Sequence, residues 1–163
     1  MYIPFTELPE SARIWVYQSN RAFTEDETEK VTELLTNFMS HWNNHGDSLK
    51  SSFLVKYNQF ILIGIDEAHK EASGCSIDSS VQVMKKIEKL FEVDLFDKMK
   101  TAFKIEQHIN IVSLADFQKY TNEGEITSDT IVFNNMINTI ADFKQKWEVK
   151  AKNSWHARYI NTL

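Results

Sequence analysis

The sequence predicts an α+β fold, and three observations predict it. Short alternating or fully apolar runs, RIWVYQS, SSFLVKY and FILIGID, read as strands, and two segments with apolar residues at helical spacing lie between and after them. The chain has 163 residues, 42% apolar and 12% aromatic, enough to bury a sizeable core in one full domain or two small ones. Only four glycines and two prolines punctuate it, both prolines fall in the first nine residues, and no linker or internal repeat is visible. Period and capping residues must therefore mark the elements.

In residues 13–19, Ile14 and Val16 alternate with Trp15 and Tyr17, a strand pattern. Thr24-Glu25-Asp26-Glu27 forms a capping box, with Phe23 as the hydrophobic staple. Val31, Leu34, Leu35, Phe38 and Trp42 follow at helical spacing and Gly46 is the stop, so the first helix covers 24–44. Strands at 51–57 and 60–66 flank an Asn58-Gln59 turn, and the second is so apolar that it reads as central. A second helix runs from Ser76 or Asp78 to Phe91 on a stripe of Ile77, Val81, Met84, Ile87 and Phe91. MKTAFKI, residues 99–105, reads as a fourth strand. This β-α-β-β-α-β order is the ferredoxin-like plan, with antiparallel strand order 4-1-3-2. The remainder reads as a small α+β module: a strand at 108–112, a helix capped by Ser113 and ending near Gly124, a strand at 130–133, a last helix from Thr139 through Trp147, and the tail SWHARYINTL. The expected division is 1–107 and 108–163, packed together as two parts or as one continuous domain.

In that plan the first helix ends, and the second begins, at one edge of the sheet. HWNNHG (41–46), Asp66 with Glu67, SGCSID (73–78) and Arg13 are expected at this edge, and Gln18 to Arg21 at the opposite one. Cys75 is the only cysteine. At a helix N-terminus a thiol is stabilised as thiolate by unsatisfied N–H groups and the dipole. Cys75 is thus a candidate nucleophile, with His45 as base and Asp66 or Asp78 orienting it, for attack on an acyl or thioester carbon. Alternatively Ser73, Gly74, Ser76 and Asp78, with Arg13 and Gly46, bind a small anion without chemistry. Each residue also has a plain structural role: Cys75 as a small core residue, His45 complementing a helix C-terminus, Ser76 or Asp78 as an N-cap, and Asp66-Glu67 as solvated charge at a strand end.

Several other functions find no support. ILIGIDEAH imitates a Walker B strand, but no G-x-x-x-x-G-K-[ST] phosphate loop accompanies it. His41 and His45 are spaced for a metal, yet Trp42 stands where a zincin helix has Glu, and a third ligand has to come from Cys75, Asp66 or His69; neither a metal nor a cofactor is expected. Trp15, Tyr17, Phe60 and Leu62 are expected on the sheet face away from the helices, as in RNA-binding modules. The RNP1 pattern is missing, and the C-terminal module with Trp147 and Trp155 is expected to cover that face. A net charge of −5 argues against nucleic acid and anionic membranes as partners, and Lys85, Lys86 and Lys89 read as a solvated helix face. One cysteine excludes an intrachain disulfide, the N-terminus lacks a signal-peptide pattern, and no apolar run reaches the roughly 20 residues of a membrane span. The expectation is a soluble cytoplasmic protein.

The stretches MYIPF, WVYQSNR, HG (45–46), SGCSID, TIVFNN (130–135) and SWHAR together resemble an uncharacterised bacterial protein family whose members are often labelled ABC-transporter ATPases. The resemblance spans nearly the whole chain and implies a compact stand-alone cytoplasmic protein, not a mechanism. SLADFQKYTNEGEITSDTIVFNN is similar to the helix–Gly–strand rhythm of GYF-type peptide-binding modules, with Phe133 where those carry Trp. The sequence thus points first to a binding or regulatory protein taking a small anion or a protein or peptide partner. The alternative is a small cysteine-dependent acyl or thioester hydrolase or transferase.

Overall fold

The computed structural model describes residues 1–160; the last three residues of the SWHARYINTL tail lie outside the described residues. The described residues form an α+β architecture with four α-helices and several antiparallel sheets. No helix among them is long and apolar enough to cross a membrane. The chain divides into two compact units, one of residues 1–96 with 138–141, the other of residues 97–137 with the chain from 142 onward.

The first unit contains β1 (Arg13–Gln18), α1 (Glu25–His41), a miniature hairpin of β2 (Asn43–Asn44) and β3 (Asp47–Ser48), β4 (Lys50–Lys56), β5 (Phe60–Asp66) and α2 (Gly74–Phe91). Its three-stranded sheet has the order β1-β5-β4, with β5 central and antiparallel to both neighbours. These are three strands of the expected plan in the expected order. The fourth, Lys100–Ile105, pairs in a separate sheet, so the two sheets are split. The place beside β1 is taken instead by residues 138–141: the Ile14 N–H donates to the Asn138 carbonyl at 3.0 Å, and the Ile140 N–H to the Ala12 carbonyl at 3.1 Å. The opposite edge is closed by the N-terminus, where the Ile3 N–H donates to the Ser51 carbonyl and the Ser51 N–H to the Met1 carbonyl, both at 3.0 Å.

The capping box forms as its spacing requires: the Thr24 hydroxyl accepts the Glu27 N–H at 3.1 Å, and the Glu27 carboxylate accepts the Thr24 N–H at 3.0 Å. Arg21 grips the same carboxylate with two N–H groups and holds its pKa down at about 2, while also donating to the Phe91 carbonyl at 2.6 Å. One guanidinium thus joins the start of α1 to the end of α2. The helix stops at His41, short of the expected 44, because Trp42 is already extended. His45 and Gly46 are not a helix terminus. Both have positive φ, 52° and 90°, and they form the two-residue turn between β2 and β3.

Every residue of β5 from Phe60 to Ile65 is buried. Ile61, Ile63 and Ile65 meet Val31, Leu35 and Met39 of α1 and Met84 and Ile87 of α2 in one core. Trp15 and Tyr17 pack on this same helix side, since they pair with Ile63 and Ile61 and paired residues share a face. Val16 pairs with Leu62 on the other face. The expected common face of Trp15, Tyr17, Phe60 and Leu62 therefore does not form; two of the four point each way. Gly64 lies on the second face, where a Cβ would come within 2.6 Å of the Leu8 side chain, so its lack of one permits that contact. The inward face of α2 differs too: Ser76 and Ser80 are buried ahead of Met84 and Ile87, whereas Ile77 and Val81 are only half-buried.

The second unit holds β6 (Lys100–Ile105), β7 (His108–Ser113), α3 (Leu114–Asn122), β8 (Ile131–Phe133), most of α4 (Ile140–Lys146) and β9 (Glu148–Lys150), with sheet order β7-β6-β8-β9. Its core is Phe103, Phe117, Ile126, Val132 and Ala151. Trp147 packs on Phe133 and Phe143, and Trp155 stacks on His156. His156 is fully buried, with its ring nitrogens 2.6 Å from the Thr101 hydroxyl and 2.8 Å from the Ser154 hydroxyl.

Burial pushes the His156 pKa down to about 4, with Arg158 adding to the effect, so the folded state holds a neutral ring. The unfolded chain binds this proton near pH 6.5, so stability from the neutral ring is full above that value. It is lost as pH falls from about 6.5 to about 4, by up to ~3 kcal/mol, and is constant below. Urea unfolding of the wild type and His156→Gln across this range is expected to show the variant lacking that slope; parallel curves would contradict the assignment.

Candidate functional site

The N-terminus of α2 is tied to the chain that leaves α1. Ser73 is the N-cap, its hydroxyl accepting the Ser76 N–H at 3.1 Å, so the helix starts at Gly74, before the expected Ser76 or Asp78. Ser76 is buried and its hydroxyl donates to the Asn43 carbonyl at 2.8 Å. In return the Trp42 indole N–H donates to the Ser76 carbonyl at 2.9 Å. A small residue is needed at position 76 for the hairpin and helix backbones to approach this closely. Asn44, also buried, donates from its side-chain amide to the Glu71 carbonyl at 2.8 Å.

The connection from β5 to α2 is ordered by its own carboxylates. The Asp66 carboxylate accepts the Ala68 N–H at 3.0 Å, and the Glu67 carboxylate accepts the Ala72 N–H at 3.0 Å while facing Arg13 at 3.8 Å. Arg13 also lies over the Trp15 ring at 4.5 Å. Lys70 pairs with Asp47 of the hairpin at 2.9 Å and holds that carboxyl below its usual range.

Of the segments expected at one edge, 41–46 bonds directly to 73–78 and Glu67 faces Arg13, while the backbone at Glu71 and Ala72 joins the two pairs. The proposed catalytic groups are not linked to each other. Cys75 is exposed rather than a core residue, and among the described residues no hydrogen bond joins its thiol to an imidazole. His45 is exposed at the hairpin tip, Asp66 is engaged with the Ala68 N–H, and Asp78 is exposed. Gly46 and Gly74 are exposed with open space where a Cβ would stand. Among the described residues no group of three His, Cys, Asp or Glu side chains is placed to hold a metal ion. The Asp66 and Glu67 carboxylates of the DEAH stretch accept N–H groups of their own loop, and β5 before them is antiparallel to both neighbours.

What adjoins this edge is a groove between α1 and α2. A hollow of about 380 Å³ has Leu34, Phe38, Trp42 and Val83 in its walls, with His41 and Lys86 polar and no carboxylate among its lining residues. A second hollow, about 430 Å³, continues along the same helices to Leu90 and Phe91 and shares Leu34 and Asn37 with the first. Leu90 is 55% exposed. Cys75, Ser79, Val83, Lys86 and Leu90 recur every three or four residues, so the exposed thiol begins the stripe of α2 that borders the groove. The helical stripes read from the sequence include Leu34 and Phe38 but not Val83 or Leu90. No family model matches the chain, and no curated protein matches it significantly.

Replacing Trp42 with Phe keeps an aromatic ring but leaves the buried Ser76 carbonyl without its indole donor. The expected cost is ~1–3 kcal/mol, measured as a lowered urea midpoint by circular dichroism. An unchanged midpoint would show that this bond contributes nothing.

Proposed function

We propose that the protein is a binding or regulatory protein, not an ATPase, and that it seats a segment of a protein partner in the groove between α1 and α2. The observation that carries this reading is the continuity of the two hollows over half-buried Leu34, Phe38, Val83 and Phe91 and exposed Leu90. Neighbouring helices that leave apolar side chains open between them suit a peptide with apolar residues at its anchor positions. The hairpin end, with His41 and Lys86 and no lining carboxylate, favours an acidic residue on that peptide. Membership of the bacterial family whose members carry the transporter-ATPase label, a cytoplasmic location and use of the Ser73–Asp78 edge belong to the same proposal. The missing phosphate loop supports the refusal of ATP hydrolysis.

Panning a random peptide library against the intact chain tests this. Selected peptides are expected to combine apolar anchors with Asp or Glu, and Leu90→Asp, at a 55% exposed position, or Lys86→Glu to weaken them at least about tenfold, ~1.4 kcal/mol, without lowering the melting temperature. Selected peptides indifferent to both substitutions would place the binding surface elsewhere.

Exposure of Cys75 in the first turn of α2 favours a second reading, the cysteine-dependent acyl or thioester chemistry. Alkylation of this single thiol against pH separates the two. A midpoint well below the free-thiol value of about 8.5 supports the enzyme; an ordinary midpoint supports the binding protein.

A further inference from the structure

The second unit carries a hollow of its own, independent of the groove. It measures about 430 Å³ and lies between the β6–β7 hairpin, α3 and the loop that follows. Phe103, Val112, Tyr120 and Ile126 give it apolar and aromatic walls, Glu106 and Glu125 are its carboxylates, His108 adds an imidazole, and neither Lys nor Arg lines it. Ile105, another lining residue, is 40% exposed.

The hairpin turn is built against the usual preference. Glu106 and Gln107 have φ of 49° and 70°, the conformation that two-residue turns normally give to Asn-Gly. The first residue of this turn, Glu106, lines the hollow. Alongside runs β7, at the edge of the four-stranded sheet, with Asn110 and Val112 also in the lining. An edge strand offers unpaired N–H and C=O groups to an extended chain.

We infer that this hollow receives an arginine or lysine side chain from an extended segment of a protein partner that lies along β7. The aliphatic stem rests on Val112 and Ile126, the cation faces the Phe103 and Tyr120 rings, and Glu106 and Glu125 supply the opposite charge. Main-chain pairing with β7 accounts for a peptide, rather than a free amine, as the occupant.

Amide and side-chain NMR shifts of the full chain test this with defined probes. N-acetyl-argininamide is expected to shift Phe103, Tyr120 and Ile126 saturably, and its uncharged citrulline analogue is not. An extended peptide alternating valine and arginine is expected to bind at least about tenfold more tightly and to shift the β7 amides as well. Glu125→Gln is expected to weaken the peptide about tenfold, the loss of one charge-assisted contact, while Glu123→Gln, outside the hollow, leaves it unchanged. Glu106→Asn relieves the turn, so it is expected to raise the melting temperature and weaken binding together, a pairing that a purely structural Glu106 would not give. Equal response to the citrulline analogue, no saturable shift at the hollow, or unchanged affinity in Glu106→Asn and Glu125→Gln overturns the proposal. Spermidine binding as tightly as the peptide, with β7 unmoved, overturns the assignment of a peptide.

Discussion

A strand that is apolar on both faces cannot stand at the surface, and β5 is such a strand from Phe60 to Ile65. It must have a strand on each side and a layer on each face, and the rest of the first unit follows from that demand. β1 and β4 supply the sides, and α1 and α2 cover the Ile61, Ile63 and Ile65 face. On the other face the Leu8 side chain reaches over Gly64. Leu34, Phe38 and Val83 pack against the rim of this core, and with exposed Leu90 they line the groove between the helices.

Polar chemistry then fixes where the two helices meet. The indole of Trp42, the hydroxyl of Ser76 and the amide of Asn44 all bond to backbone carbonyls, and each reaches from one segment to another far away in sequence. Such bonds are directional and set the approach of hairpin to helix in a way that apolar contact alone does not. Cys75 lies one residue before Ser76, so the exposed thiol stands beside this bonded contact.

Local signals are legible in the sequence. The capping box at Thr24–Glu27, the period of α1 and the alternation in β1 depend on residues within a few positions of one another. What escaped depended on distant partners. MKTAFKI is a strand by its own pattern, but nothing local states which sheet it joins; that is decided by residues 138–141 beside β1 and by β7 and β8 beside Phe103. The alternation puts Trp15 and Tyr17 on one face without saying which, and the register against β5 selects the helix side. At the site the edge was legible from topology. The exposure of Cys75 was not, and neither was the groove, since a half-buried Leu34 and a buried Leu35 look alike in one dimension.

The segment 138–141 has a consequence for how the molecule is made. The chain leaves the first unit after residue 96, builds strands and a helix elsewhere, and then returns to finish the edge of β1. During synthesis from the N-terminus, the backbone at Ala12 and Ile14 emerges early and waits through the translation of most of the second unit for its partner. A bare strand edge of this kind is a template for wrong pairing while it lasts. The first unit is therefore not a portable cassette: cutting the gene after codon 96 removes residues 138–141 and leaves that edge open.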